Sequence, residues 1–345
     1  MCIRDRIVMI PPPTPPTAPE LAGRSVQNKS VLVTGGAGFI GSHLTDELFV
    51  RGASEVVVID NLFVGNPEHL DEASSAGKVT LFKDDAEFAS SIDAIFEQHD
   101  IDVVFNMATK ALNYSFTNPA NAFATNVNVL LNLLDHQRRG TFGSMCHFST
   151  SEVYGTAVYE PMDEDHPRHP TTTYAAGKVA ADLAVESYVN MFDIDACIVR
   201  PFNNYGPRQN HLPPLAGIIP VTAHRILNNG TPEIHGGGTQ TRDFVFVTDT
   251  VKATLDVFAK LPAGDSVNIS TDNEVAIGDL VHMICEQLGY DGKVLQQPAR
   301  SADVACHHAS NQKLRSLIDF DITPFDEGLA STLAWYVDRF GDNRS

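Results

Sequence analysis

From residue 29 onward the chain alternates short apolar runs with longer amphipathic ones. Val31-Leu32-Val33 and Val56-Val57-Val58-Ile59 are β-branched runs of strand length, and similar runs fall at 79–82, 102–107, 145–149 and 195–200. Between them, 39–51, 92–98, 121–138 and 173–191 carry apolar residues at helical spacing. Strands this apolar, separated by helices, predict parallel βαβ units whose sheet is covered on both faces. After Arg200 the rhythm breaks. Residues 203–240 are rich in Pro, Gly and Asn with one helix near 218–229, a short apolar strand follows at 244–247, and the tail from about 263 mixes short helices and strands. No internal repeat is visible.

The first 28 residues do not follow either period. Pro11, Pro12, Pro13, Pro15, Pro16 and Pro19 favour a hydrated polyproline II segment, and the apolar stretch Ile7-Val8-Met9-Ile10 is too short for a signal-peptide core. Residues 1–28 are therefore expected to form a disordered leader whose removal leaves activity intact.

Charge narrows the partners. Across 345 residues, 24 Lys and Arg face 43 Asp and Glu, a net charge of −19, so a broad basic surface for nucleic acid or an anionic membrane is not expected. No apolar run approaches the roughly 18 residues of a membrane span. The five cysteines include no CxxC pair, which suits reduced thiols in a cytoplasmic protein. Cys306-His307-His308 reads as a loop, because adjacent ligands rarely converge on one ion, and no metal is expected.

The strand at 31–33 runs into Thr34-Gly35-Gly36-Ala37-Gly38-Phe39-Ile40-Gly41, and Gly36, Gly38 and Gly41 satisfy GxGxxG between a strand and a helix. Such glycines allow a tight turn, close approach of a pyrophosphate, and helix N–H groups aimed at it. Asp60 ends the next strand, where a carboxylate accepts from adenosine ribose hydroxyls and repels a 2′-phosphate. The expected cofactor is NAD rather than NADP. The fold class follows as α/β: a Rossmann-type doubly wound parallel sheet with a smaller, discontinuous C-terminal substrate domain. Residues 29–202 and 241–262 are assigned to the first, and 203–240 and 263–345 to the second.

Tyr174 and Lys178 stand four apart on a predicted helix and share one face. An ammonium beside a phenol favours the phenolate, so Lys178 is expected to lower the Tyr174 pKa toward that of a general base. Ser149, Thr150 and Ser151 end the strand before it.

TGGAGFIG, STSEVYG, YAAGK, RPFNNYGPRQ and TQTRDFVFVTD, in this order over residues 30–340, resemble the extended short-chain dehydrogenase/reductases that act on nucleotide sugars. The resemblance implies that Tyr174 takes the proton of the sugar 4-hydroxyl, that Thr150 hydrogen-bonds that oxygen, and that Lys178 holds the nicotinamide ribose. It implies cofactor contacts from Gly35, Gly38, Phe39, Ile40, Gly41, Asp60, Asn61, Asp85, Ala86, Ala108 and Lys110. Asn203, Arg208, Arg242 and Arg300 match positions for the sugar and diphosphate, although Arg300-Ser301-Ala302-Asp303 keeps only the ends of an RxGD motif. Related proteins pair helices like 121–138 and 173–191 into a four-helix bundle, so a homodimer is expected.

Members of this family share a 4-keto intermediate and then diverge. A 4-epimerase needs no additional carboxylate; a 4,6-dehydratase must remove the C5 proton and expel the C6 hydroxyl. Ser151-Glu152 follows Thr150 where glucose-type 4,6-dehydratases have Asp-Glu. Glu152 supplies a base for C5, while Ser151 leaves the acid for C6 unassigned. The stretch TSEVYGTA…DEDHP looks most like GDP-N-acetylglucosamine-type dehydratases, and Thr-Ser-Glu also occurs in glucuronate decarboxylases and in the mannose type, which is generally NADP-dependent. The expected activity is an NAD-dependent 4,6-dehydratase. The alternatives are a 4-epimerase, a UDP-glucuronate-type decarboxylase and, outside catalysis, an NAD-sensing scaffold.

Overall fold

Each apolar run becomes a strand because its residues meet two cores. In β1 (Ser30–Thr34), Val31 and Val33 face one hydrophobic cluster and Leu32 the other. The same alternation places Val56 and Val58 of β2 (Glu55–Ile59) opposite Val57 and Ile59. The computed structural model describes residues 23–298 and 308–341. Between β1 and β2 lies α1 (Phe39–Val50); then follow α2 (Asp71–Ala76), β3 (Val79–Phe82), α3 (Ala89–Gln98), β4 (Val103–Asn106) and α4 (Pro119–Arg138). The first domain continues through β5 (Ser144–Phe148), α5 (Thr173–Phe192) and β6 (Asp195–Pro201).

The second half is more broken. It runs β7 (Asn203–Tyr205), α6 (Ile218–Leu227), β8 (Glu233–His235), β9 (Thr241–Arg242), β10 (Phe244–Phe246), α7 (Val247–Phe258) and β11 (Ser266–Ile269). The remaining elements are β12 (Val275–Ala276), α8 (Ile277–Gln287), β13 (Leu295–Gln297), α9 (Gln312–Leu317) and α10 (Phe325–Phe340). The central sheet has seven parallel strands in the order β11-β6-β5-β4-β1-β2-β3, with register pairs such as Leu32 with Val57 and Val104. Strand order reverses between β1 and β4, and a doubly wound sheet opens its binding crevice at the carboxyl ends of such a pair. Thr34 holds the two strands together there: its Oγ1 donates to Asn106 Oδ1 at 2.8 Å and accepts the Met107 and Ala108 N–H groups at 3.0 Å.

A third cluster, around Tyr205, Ile219, Leu280, Ile284, Leu329 and Tyr336, forms the core of the smaller domain. Three short two-stranded pairs accompany it: β7 with β10, β9 with β12, and β8 with β13. The predicted division at residue 263 is corrected. β11 pairs with β6 as the seventh strand, and Ala309, Leu314 and Phe320 pack into the large core. Ser266-Val267-Asn268-Ile269 is too short and too polar to stand out locally; its partner lies about 70 residues upstream.

The leader boundary at residue 28 also moves. Arg24 is buried, its Nε 2.9 Å from the Asp195 carboxylate, and its Nη1 donates to the Phe258 and Leu261 carbonyls at 2.9 and 2.7 Å. Val26 joins the core. Residues 1–22 lie outside those described. Arg24→Ala leaves two buried carbonyls without that donor and is expected to cost about 2 kcal/mol; an unchanged urea midpoint would contradict it.

His43 on α1 is pushed down to about 4 by burial and by the neighbouring Arg208 guanidinium. A histidine held below its unfolded value stabilises the fold fully above about 6.5 and loses that contribution as pH falls toward 4. Unfolding in that window is expected to be steeper than in His43→Gln, by up to about 3 kcal/mol across it. Parallel pH curves for the two proteins would remove His43 from this account.

The long helices α4 and α5 pack side by side, leaving Phe123 and Leu131 on α4 and Leu183 and Met191 on α5 exposed. Among the described residues no helix is long and apolar enough to cross a membrane.

Candidate active site

A cavity of about 610 Å³ opens at the switch point, and the residues singled out in the sequence, Arg208 and Arg300 apart, meet on its walls. Gly35 turns the chain out of β1 at φ +71°, where a Cβ would stand 3.0 Å from the Ala108 backbone. At Gly41 a Cβ would fall 2.2 Å from the Gly35 carbonyl oxygen, so only glycine lets α1 start this close to the turn. Gly38 precedes α1 without a capping side chain, so no side chain screens the first helical N–H groups from the cavity that Gly38, Phe39, Ile40 and Gly41 line.

Asp60 is almost fully buried, and its oxygens accept the Ala37 and Leu62 N–H groups at 3.0 and 2.8 Å. It braces the glycine turn while lining the cavity. Asn61 donates to Asp85 Oδ2 at 2.7 Å, tying the ends of β2 and β3 together, and Ala86 is buried beside them. Lys110 places its ammonium 4.4 Å from the Phe63 ring centre, and Ala108 also lines the cavity.

Directly after β5, the Ser149 N–H donates to the Val199 carbonyl at 2.8 Å, and Thr150 caps the 3₁₀ turn 151–153 by accepting the Glu152 N–H at 3.3 Å. Ser151 is buried within that turn. The turn brings Glu152 to the cavity, where burial raises its carboxyl above the usual range against the opposing pull of Arg242. Tyr174, in the first turn of α5, meets the hydroxyls of Thr150 and Thr109. Its phenol is pushed up to about 12 by burial and by the Glu152 carboxylate.

This corrects the expected effect of Lys178. The lysine is buried and its Nζ donates to the Phe148 carbonyl at 2.7 Å, which directs the ammonium to the end of β5. Burial brings Lys178 down to about 8, with the Asp182 carboxylate acting against it. Asp182 lies one turn further along α5, fully buried, and accepts from Arg200 Nε at 3.0 Å. Arg200 in turn donates to Tyr154 Oη at 3.1 Å, and Tyr154 donates to Asn268 Oδ1 at 2.7 Å. The lysine thus stands on a network that joins α5, β6 and β11.

On the small-domain side Asn203 and Arg242 line the cavity; Asn203 Nδ2 donates to the Asp243 carbonyl at 3.3 Å and Arg242 Nη1 to the Thr241 carbonyl at 2.7 Å. Arg208 does not line it. Its guanidinium is engaged instead by Asp46 and Glu72. Arg300, Cys306 and His307 lie outside the described residues, and His308 pairs with Asp272. Thr109, His235, Gln240 and Gly217, the residue that caps α6, also stand on the cavity wall and carry no signal in the sequence. They sit in loops, at a helix cap or at the end of a three-residue strand, too short to carry a period.

A family model for GDP-mannose 4,6 dehydratase matches residues 32–330. UDP-glucose 4-epimerase of Mycolicibacterium smegmatis is 31% identical over 311 residues, covering 89% of this chain and 98% of that protein. UDP-N-acetyl-alpha-D-glucosaminuronate decarboxylase of Bacillus cytotoxicus is 29% identical over 322 residues, covering 89% and 98%. The crystal structure of a dTDP-glucose 4,6-dehydratase from Streptomyces venezuelae, with NAD bound, superposes with a TM-score of 0.84 at 29% identity, covering 90% of this chain and 98% of that one. The chain belongs to the GDP-mannose 4,6 dehydratase family, among the extended short-chain dehydrogenase/reductases that include nucleotide-sugar epimerases and dehydratases.

Proposed function

We propose that this protein is an NAD-dependent nucleotide-sugar 4,6-dehydratase. The observation that carries the reading is Glu152, a carboxyl on the cavity wall close enough to Tyr174 and Arg242 to act on both electrostatically. A 4-epimerase has no use for a base at that place.

The cavity suits NAD on its own geometry. Gly35, Gly38, Phe39, Ile40 and Gly41 would hold the pyrophosphate on the N-terminus of α1, and Asp60 with Asn61 the adenosine ribose. Asp85 and Ala86 would border the adenine, with Ala108, Lys110, Tyr174 and Lys178 along the nicotinamide half. When bound, NAD supplies the acceptor for hydride from C4 and its return at C6.

Tyr174 takes the proton of the 4-hydroxyl, and Thr150 hydrogen-bonds the oxygen as it becomes a ketone. The ketone acidifies C5. Glu152 removes that proton and passes it to the C6 hydroxyl, which leaves as water, so the carboxylate is regenerated; C5 then takes up a solvent proton, matched by release to solvent of the 4-hydroxyl proton held by Tyr174. Ser151, on the same turn, is the second polar group beside this step. Asn203 and Arg242 would bind the diphosphate, for which a planar guanidinium is well suited, with Arg300 assigned to the same task by resemblance. The exposed apolar residues of α4 and α5 support a homodimer built as a four-helix bundle.

The test is incubation with NAD and a panel of UDP-, GDP-, dTDP- and CDP-hexoses, followed by mass spectrometry. The expected product from one of them is lighter by one water. A product of unchanged mass identifies an epimerase, and carbon dioxide lost from a uronic acid identifies a decarboxylase.

A further inference from the structure

The chain after β7 crosses between the domains and is anchored on both. From the first domain, His43 Nε2 on α1 donates to the Pro207 carbonyl at 3.1 Å, and Asn113 Nδ2 donates to the Pro214 carbonyl at 3.0 Å. From the second, Tyr336 of α10 donates to the Gln209 carbonyl at 2.6 Å, and Gln209 Nε2 reaches the Asn204 carbonyl at 3.2 Å. The central anchor is Arg208. One side of its guanidinium meets Asp46 on α1 at 2.6 Å and the other meets Glu72 on α2 at 3.0 Å, and its side chain is only 13% exposed.

Arg208 stands in the left-handed region at φ +65°, which a residue with a Cβ resists unless its surroundings enforce it. A planar fork can serve two carboxylates on two helices at once; a lysine ammonium lacks that rigid geometry. Directly beyond it Gln209 and Asn210 turn onto the cavity wall, followed by Leu215, Ala216 and the start of α6. Pro207, Gln209 and Pro214 are thus held, and the residues beside these anchors, Gln209 with Asn210 and Leu215 with Ala216 and Gly217, are cavity wall.

We propose that Arg208 is a positioning residue for substrate: its two-carboxylate anchor on α1 and α2 holds the wall residues 209–210 and 215–217 against the cavity, so that the strap contributes to nucleotide-sugar binding without Arg208 touching the ligand. Its kinetic consequence rests on the reading of the cavity given above; its structural consequence does not. Arg208→Met is expected to raise KM for the nucleotide sugar roughly tenfold while kcat changes less than about threefold, the equivalent of one or two charged hydrogen bonds lost from binding alone. Arg208→Lys recovers part of the loss.

The deciding experiment is hydrogen–deuterium exchange of the full chain, without ligand, comparing wild type with Arg208→Met. Faster exchange confined to residues 207–217, and partly restored in Arg208→Lys, is the expected result. Unchanged exchange there in a folded Arg208→Met protein overturns the proposal, as does a fall in kcat with KM unaltered. If Arg208→Met does not fold, Asp46→Asn combined with Glu72→Gln removes the same anchor from the other side and is read in the same way. A wild type that turns over no nucleotide sugar refutes the proposed function, and the exchange measurement still judges the anchor.

Discussion

Tyr174→Phe is expected to lower kcat by about a thousandfold, within the range assigned to a positioned acid–base group. The change removes one oxygen and leaves the ring in place, so the loss reports chemistry rather than packing. The environment of this phenol makes its contribution specific. Burial and Glu152 hold it up to about 12, while Thr150 and Thr109 act against them. In the protein without ligands, tyrosinate absorbance attributable to Tyr174 is therefore expected only above about pH 11, read as the difference between wild type and Tyr174→Phe. Normal turnover by Tyr174→Phe would remove the residue from catalysis. A tyrosinate signal near pH 8 would instead restore the expected influence of Lys178.

Glu152→Gln is expected to abolish water loss, by about a hundredfold to ten-thousandfold, while hydride removal from C4 continues. Gln keeps the size and hydrogen-bonding shape of Glu and deletes only the basic oxygen. The same substitution removes the carboxylate that raises Tyr174, so the phenol ionises at lower pH and the acid limb of C4 oxidation moves down with it. Exchange of the C5 hydrogen with solvent is expected to stop. Retained exchange in Glu152→Gln would transfer the role of base to another group.

These two residues were legible because each belongs to a local pattern. Tyr174 and Lys178 share a helix face, and Thr150-Ser151-Glu152 directly follows an apolar strand. The glycine turn was legible for the same reason: a strand, a glycine-rich turn and a helix follow one another without interruption over residues 30–50. What escaped the reading depends on distant partners. Arg24 is placed by Asp195, 171 positions away, and Arg208 by Asp46, 162 positions away. No local periodicity encodes such pairs, so the local pattern puts Arg24 in a leader and Arg208 beside the substrate.

The electrostatics were harder still. Four residues along a helix place Lys178 beside Tyr174, but the lysine's direction is decided by the Phe148 carbonyl and its charge by burial against Asp182. Spacing gives proximity; it does not give the competing acceptor. β11 shows the same limit in the fold, since Val267 and Ile269 become core only when β6 offers them an edge.

The negative balance of −19 gave no indication of any of this. A nucleotide sugar and NAD are themselves anions, so the cavity must attract them locally, through the N-terminus of α1 and the guanidinium of Arg242.

The central claim is that Glu152 turns a 4-keto intermediate toward water loss. It is tested most directly by running the reaction in deuterium oxide with NAD and the nucleotide hexose that the protein accepts, and locating the label by mass spectrometry and NMR. The expected result is a 4-keto-6-deoxy product, one water lighter than its substrate apart from the label, carrying solvent deuterium at C5 with the wild type and absent with Glu152→Gln. A product of unchanged hexose composition with no label at C5 would contradict it.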